Sequence, residues 1–292
     1  MGARRVESLR AVTRVLQSLL RVLLGLGIAY AALLLLAWRF QHRMALPGAR
    51  APLMSPSQAG IAGGEIVAVT TADGVRLRGW YLAPSPVPDP RTPAPGLLWF
   101  YGNMETVTGL APIIRWLRPP DVALLMLDYR GYGESAGSPS EQGLYADADA
   151  AWAYLTSRPD VDPSRIAVYG RSVGSVPALY LATTRPVRAV VLESPFSSAV
   201  DMARVHYRFL PSFIVRLSMD NLERAARLTA PLLVLHGTED NIALPRMGRA
   251  VAEAGHAREL VLIKGAGHNE TYDVGREEYR RKFLGFLAET LR

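Results

Sequence analysis

The chain has 292 residues, 49% hydrophobic and 20% charged, with no cysteine. That composition excludes a disordered or fibrous chain, a disulfide framework, a thiol nucleophile and a Cys-based zinc site. The formal net charge of +7 is confined to residues 1–50, which hold eight Arg against the single acid Glu7, while the remaining 242 residues balance 25 basic against 25 acidic side chains. A nucleic-acid footprint would be a basic stripe on the folded domain, so no nucleic-acid partner is expected.

The terminal charge flanks an apolar segment. Val22 to Trp38 (VLLGLGIAYAALLLLAW) is 17 residues without a charge, the short end of what crosses a bilayer. Extension back to Val15 adds Leu16, Leu19 and Leu20, with Arg21 able to snorkel to the headgroups. Trp38 and Arg39 suit the far interface. The bulky run Trp38-Arg39-Phe40-Gln41 lacks the small residues of a signal-peptidase site. Residues 1–43 are therefore expected to be a basic segment with a single-pass anchor. Five Arg precede the apolar run and three follow, which favours a cytoplasmic N-terminus and an extracytoplasmic domain.

Residues 44–64 are rich in Pro, Gly and Ala and read as a linker. Eight strands are expected after it: Glu65–Thr70, Val75–Leu82, Gly96–Tyr101, Val122–Leu127, Ile166–Tyr169, Arg188–Leu192, Pro231–His236 and Glu259–Ile263. Asp73-Gly74 marks a hairpin between the first two. Segment Ala83–Pro95, with six prolines, reads as a surface loop. Helical stretches are expected at Glu105–Leu117, Ser140–Ser157, Val173–Thr184, Pro245–Ala254 and Arg276–Leu291. Apolar strands joined by helical crossovers imply a mostly parallel sheet with helices on both faces. Residues 65–292 then form one α/β domain, with a short helical insertion at 194–230. Its reactive groups belong on the loops beyond the carboxyl ends of the strands.

Gly170-Arg171-Ser172-Val173-Gly174 is a G-x-S-x-G motif. Alone it is a weak signal, but strand RIAVYG leads in and helix-like VGSVPALYLATT follows, the setting of a nucleophile elbow. A Ser hydroxyl needs a base to take its proton, and with such an elbow the acid and then the His follow in the chain. His268 lies on the loop after the last strand and is the expected base. The acid is expected at Asp240, on the loop after PLLVLH, with Glu239 and Glu193 as competitors. The oxyanion donors are expected at the Val173 N–H and at Asn103, with Met104 next. Arg130, in DYRGYG, reads as a structural partner for a buried carboxylate.

The stretches WFYGNMET, LDYRGYGESAGSPSEQGLYADADAAWAYL, VYGRSVGS, LESPFSS, PLLVLHGTED and GAGHNETY occur in that order. Together they resemble the α/β-hydrolase superfamily, and more closely its serine-aminopeptidase-like branch, which includes membrane-anchored hydrolases and protein depalmitoylases. The resemblance covers nearly all of Glu65 to Arg292. It implies the α/β-hydrolase fold and Ser172, Asp240 and His268 as catalytic triad, and Pro245 also matches the branch. The chain departs from the branch at Tyr101, where His precedes Gly-Asn, and at Ser175, where a second Gly is common.

The expected activity is a membrane-anchored serine hydrolase cleaving an acyl ester or thioester, lipid-like in character, with no metal or organic cofactor. Phe196, Phe209, Phe213, Ile214 and Leu217 of the insertion are candidates for an apolar wall. The alternatives are an aminopeptidase or amidase, with Glu193 or Asp201 holding a substrate amine, and a non-catalytic scaffold of the same fold.

Overall fold

The computed structural model describes residues 2–85, 89 and 91–292. Of the expected loop at 83–95, residues 86–88 and 90 lie outside the described residues. Eight strands form one sheet: β1 (Gly64–Thr70), β2 (Arg76–Leu82), β3 (Ala94–Phe100), β4 (Ala123–Leu127), β5 (Val161–Arg171), β6 (Ala189–Glu193), β7 (Leu232–Gly237) and β8 (Glu259–Ile263). The spatial order is β1-β2-β4-β3-β5-β6-β7-β8. β1 pairs with β2 and β2 with β4 antiparallel, and the other five pairings are parallel. The expected mostly parallel eight-stranded sheet is the one found.

The apolar strands of the sequence are the buried ones: every residue of β4, β6 and β7 is buried. From Ile66 to Thr70, β1 alternates exposed and buried, as an edge strand with one wet face does. Among the described residues, seven α-helices accompany the sheet: α2 (Ala111–Leu117), α3 (Glu141–Thr156), α4 (Ser175–Thr184), α5 (Ala199–His206), α6 (Asn221–Ala225), α7 (Pro245–Ala254) and α8 (Thr271–Thr290). α2 starts six residues later than expected. Val107 N–H is drawn instead to the buried Asp128 carboxylate, and Pro112, without an N–H of its own, suits the first helical turn. α8 starts five residues earlier than expected, across a break at Arg276 (φ 36°).

The N-terminal helix α1 (Gly2–Ala45) contains a stretch, Thr13–Ala45, long and apolar enough to cross a membrane, with mean hydropathy 2.3 over its most apolar window. It does not stop at the expected boundary, and residues 46–63 are not a loose linker. Leu46, Leu53 and Ile61 are buried in the core, and the Trp80 indole donates to the Met54 carbonyl at 2.8 Å. A Pro- and Gly-rich composition reads as a tether. Here it shapes an extended strap laid on the domain, because three widely spaced aliphatic side chains bury.

Candidate active site

The elbow sits where β5 ends. Ser172 has φ 50°, a region that costs an ordinary side chain conformational energy and persists where the surroundings over-determine it. They do so here. A methyl group at Gly170 would overlap the Gly174 carbonyl and Ala178, and one at Gly174 would overlap the Phe100 carbonyl of β3. Ser172–Gly174 form a 3₁₀ turn that runs into α4. Ser175, where the branch often has Gly, donates to the Ser172 carbonyl at 2.5 Å and accepts from Asn221 Nδ2 at 2.7 Å. That substitution ties the elbow to α6 of the insertion.

Three residues far apart in sequence meet at the strand tips. His268 Nε2 is 2.9 Å from Ser172 Oγ, and its Nδ1 is 2.7 Å from Asp240 Oδ2. Both His268 and Asp240 are buried. The other Asp240 oxygen accepts the N–H groups of Ile242 and Ala243, each at 2.9 Å. Burial alone would raise the Asp240 carboxyl, but hydrogen bonds from His236 and His268 outweigh it and hold it well below the usual carboxylate range. An ionised Asp240 accepts only, so Nδ1 carries the imidazole proton and Nε2 is free to accept from the Ser172 hydroxyl. His236 itself bonds the Ala243 carbonyl at 2.7 Å, a structural role.

Glu193, the competing acid, is placed elsewhere. Fully buried, it accepts from Tyr169, Thr271 and Tyr279 and pairs with Arg171 Nε at 3.1 Å. Burial first, and then the Glu193 charge, push the Tyr169, Tyr272 and Tyr279 phenols well above their ordinary range. Glu193 therefore neither orients His268 nor faces a substrate amine, which corrects its amine-binding reading. Asp201, the second amine anchor considered, is taken by Ser197 Oγ at 2.6 Å and Arg204 at 3.3 Å. Glu239 is exposed.

Arg171, the variable residue inside the elbow motif, carries more than the sequence suggested. Buried to 4% exposure, it pairs with Glu193 and Glu105. It also donates to the His268 carbonyl and Asn269 Oδ1, both at 2.9 Å. Burial opposes its charge, but Glu193 foremost raises its pKa above the ordinary value. One guanidinium thus links the elbow, the loop after β3 and the His268 loop. The only sequence signal was a basic residue where any residue is allowed.

Val173 and Asn103 both line the cavity in front of Ser172. Asn103 Oδ1 accepts from Tyr132 at 2.7 Å, and its Nδ2 donates to the Ala45 carbonyl at 2.9 Å, the last residue of α1. Met104 N–H is committed to Asn103 Oδ1 at 3.1 Å, which removes it as the second donor. Tyr101 supports this loop from beneath: its hydroxyl donates to Asp128 at 2.8 Å and its carbonyl accepts from Tyr129 at 2.9 Å. Burial raises the Asp128 carboxyl to about 6. Arg130 has the structural role expected of it, bonding buried Asp147 at 2.8 Å and Asp73 at 2.7 Å.

The cavity measures about 530 Å³, within the range of small-molecule sites. One side carries Ser172, His268, Arg171 and Asn103. The insertion (Phe196, Met202, Ile214, Leu217) and the end of α1 (Ala37, Met44) contribute a mostly apolar remainder, in which Gln41, His206 and Tyr207 are the polar side chains. Of the five insertion residues expected in a wall, Phe196, Ile214 and Leu217 line it, while Phe209 and Phe213 stand outside, 53% and 84% exposed. Among the described residues, none that lines the cavity is acidic.

Comparison with known proteins bears on the fold and the family. A family model described as serine aminopeptidase, S33 matches residues 93–212. The chain is 38% identical over 267 residues to the uncharacterized protein Rv2307c of Mycobacterium tuberculosis, spanning 89% of this chain and 92% of that one. It is 31% identical to the alpha/beta hydrolase domain-containing protein WAV2 of Arabidopsis thaliana, over 77% of this chain and 79% of that one. Among solved structures, the Pyrococcus furiosus esterase Pf2001 superposes with a TM-score of 0.68 at 19% identity, covering 84% of this chain and 98% of that one. By its relationship to WAV2, and with the fold in accord, the chain belongs to the α/β-hydrolase superfamily.

Proposed function

We propose that the protein is a membrane-anchored serine hydrolase that cleaves acyl esters or thioesters through an acyl-enzyme on Ser172. The observation that carries the reading is the unbroken relay from Ser172 Oγ through the two His268 nitrogens to an ionised Asp240. Ser172 Oγ bonds to the acyl carbon as its proton passes to His268 Nε2. The resulting oxyanion is held by the N–H groups of Val173 and Asn103. When the carbonyl re-forms, the bond to the alcohol or thiol breaks and the leaving group takes the proton from His268. Water then attacks the acyl-enzyme, giving its proton to His268, and the freed Ser172 recovers a proton as the acid departs. Asp240 stabilises the imidazolium in each half.

Acyl substrates are favoured over amino-terminal peptides by the lining itself. A substrate ammonium needs an anionic partner when it is desolvated, and the residues lining the cavity offer no carboxylate. The apolar side suits an alkyl chain. The membrane anchor is α1, by its length and apolarity. The outward-facing domain follows from the Arg bias of the sequence.

The deciding experiment is hydrolysis of matched p-nitrophenyl esters, acyl-thioesters and amino-acid anilides by the full chain, with fluorophosphonate labelling alongside. Labelling with ester or thioester turnover well above anilide turnover is expected. Anilide turnover in excess of both would support the aminopeptidase reading, and a folded protein inert to probe and panel would support the scaffold reading.

A further inference from the structure

The membrane helix and the catalytic cavity are joined. Ala37, Gln41, Met44 and Ala45, all on the last turns of α1, line the cavity that holds Ser172 and His268. Gln41 Oε1 accepts the N–H groups of Arg216 at 2.6 Å and Leu217 at 3.2 Å, and its Nε2 reaches the Ile214 carbonyl at 3.4 Å. At the helix end, the Ala45 carbonyl would lack an intrahelical partner. It is taken by the side chain of Asn103, the residue assigned above to the oxyanion site.

The same insertion also follows α1 away from the cavity. Tyr30 Oη donates to the Phe209 carbonyl at 2.7 Å. Tyr30 precedes Trp38 by eight residues, or about 12 Å along a helix axis, and lies inside the charge-free run Val22–Trp38. Phe209 is therefore tied to the apolar span itself. Trp38 has the Arg216 guanidinium 4.7 Å from its ring, an arrangement suited to a headgroup layer. Phe209 and Phe213 do not line the cavity, and they stand 53% and 84% exposed beside a helix whose aliphatic side chains are equally bare. Phe209 meets the Tyr207 ring edge-on, 6.3 Å between centroids, and large aromatics left this bare in water are what a bilayer would cover.

From this juxtaposition we infer that segment 207–213 dips into the bilayer against α1, and that an acyl chain passes laterally from the hydrocarbon layer, between α1 and the insertion, into the cavity before Ser172. The catalytic half of this inference rests on the hydrolase reading; the membrane half does not. The anchor helix is then a wall of the acyl site as well as a tether. The physical advantage is specific. A chain that crosses water to reach a cavity loses about fourfold in population per exposed methylene, whereas a chain moving between lipid tails and an apolar wall exposes none. The substrate class is thus a bilayer-embedded long acyl chain whose carbonyl lies at the interface.

The absence of cysteine makes a direct test available. In the full chain reconstituted in phosphatidylcholine vesicles, a nitroxide on Phe213→Cys should collide more often with oxygen than with a water-soluble nickel chelate. The reverse order would overturn the bilayer placement whether or not the protein is a hydrolase. For the catalytic half, Phe209→Ser/Phe213→Ser should lower turnover of vesicle-borne p-nitrophenyl hexadecanoate at least tenfold. It should leave soluble p-nitrophenyl acetate unchanged, and the loss should shrink when the long ester is offered in detergent micelles. Met44→Trp, which fills the α1 side of the cavity, should lower the hexadecanoate-to-butyrate ratio of kcat/KM at least tenfold. An equal loss on vesicles and micelles, or a chain-length profile untouched by Met44→Trp, would overturn lateral access. Failure of the wild-type chain to label with a fluorophosphonate would instead overturn the hydrolase reading, and with it the catalytic half, leaving the nitroxide result to stand or fall alone.

Discussion

The two sides of the cavity are built by different means. The reactive side hangs from the carboxyl ends of parallel strands: Ser172 follows β5, Asp240 follows β7, and His268 follows β8. Its groups are packed among fully buried neighbours, and its polar atoms are mutually bonded through Asp240, Arg171 and Glu193. The facing side is made from the end of α1 and the insertion at 194–230, where α5 and the turn at Ser212–Ile214 bury no residue. One side is fixed by covalent continuity with the sheet. The other is tied to the domain by bonds from Gln41, Tyr30, Asn103, Asn221 and Glu141. Chemistry that tolerates little positional error belongs on the first, and selection among acyl chains can reside on the second.

Substitutions on the two sides should therefore have different signatures. The largest effect is expected from Ser172→Ala, which removes the proposed nucleophile. Ester turnover should fall by a factor approaching 10⁶, on the scale of serine-protease knockouts, with an unchanged circular dichroism spectrum. Retained turnover would place the nucleophile elsewhere.

Asp240→Asn and Glu193→Gln separate orientation from support. The first offers His268 an amide in place of a carboxylate and favours the wrong tautomer. The loss in kcat should be about 10⁴-fold, the value known for a related triad. The second leaves buried Arg171 without its fully buried partner. Its effect should be chiefly a loss of stability, about 3–5 kcal/mol, measured by urea denaturation. A larger kcat loss in Glu193→Gln than in Asp240→Asn would reverse the two roles.

Arg171→Met sharpens the comparison further, because Arg171, which also lines the cavity, holds the His268 loop. It should lower kcat about 10- to 100-fold, the scale of lost supporting contacts around a reactive group. It should also lower stability, since Glu105 and Glu193 lose their cation. On the facing side, Gln41→Ala deletes three hydrogen bonds of ordinary strength, a net cost of about 1–3 kcal/mol confined to the α1 contact. Limited proteolysis should show faster cleavage within 205–217 while small-ester kcat stays within a few-fold of wild type.

The smallest expected effect is on pH dependence. Asp128 and Asp147 are both raised to about 6 by burial. A folded carboxyl whose pKa lies above its unfolded value binds protons that the unfolded chain releases, so stability falls as pH rises from about 4 to 6. Asp240 has the opposite sign: it contributes stability above about pH 4, and that contribution is lost as pH falls through its depressed value. Asp128→Asn should flatten the decline between pH 4 and 6, read by denaturant midpoints at half-unit intervals.

The reactive side was the legible one. Its strands are short apolar runs, Ser172 lies in a local motif, and Ser172, Asp240 and His268 follow one another along the chain, so periodicity and spacing suffice to bring them together. The facing side was not. Gln41 enters the sequence reading only within the bulky run after the apolar segment, and nothing near it in sequence announces Arg216 or Leu217, 175 and 176 positions away. The strap at 46–63 read as a linker because composition describes backbone freedom but not the burial of Leu46, Leu53 and Ile61. Glu193 was ambiguous for the same reason: a carboxylate at a strand tip can turn toward the site or toward the core, and only the Tyr169, Tyr279 and Thr271 hydroxyls decide which.

The relay on Ser172 is tested most directly by the position of a covalent adduct. The full chain in phosphatidylcholine vesicles would be treated with a fluorophosphonate, digested, and mapped by mass spectrometry. The account predicts one stoichiometric adduct on the peptide containing Ser172, lost in Ser172→Ala and strongly slowed in Asp240→Asn. An adduct on another residue, or none on a folded wild-type chain, would contradict it.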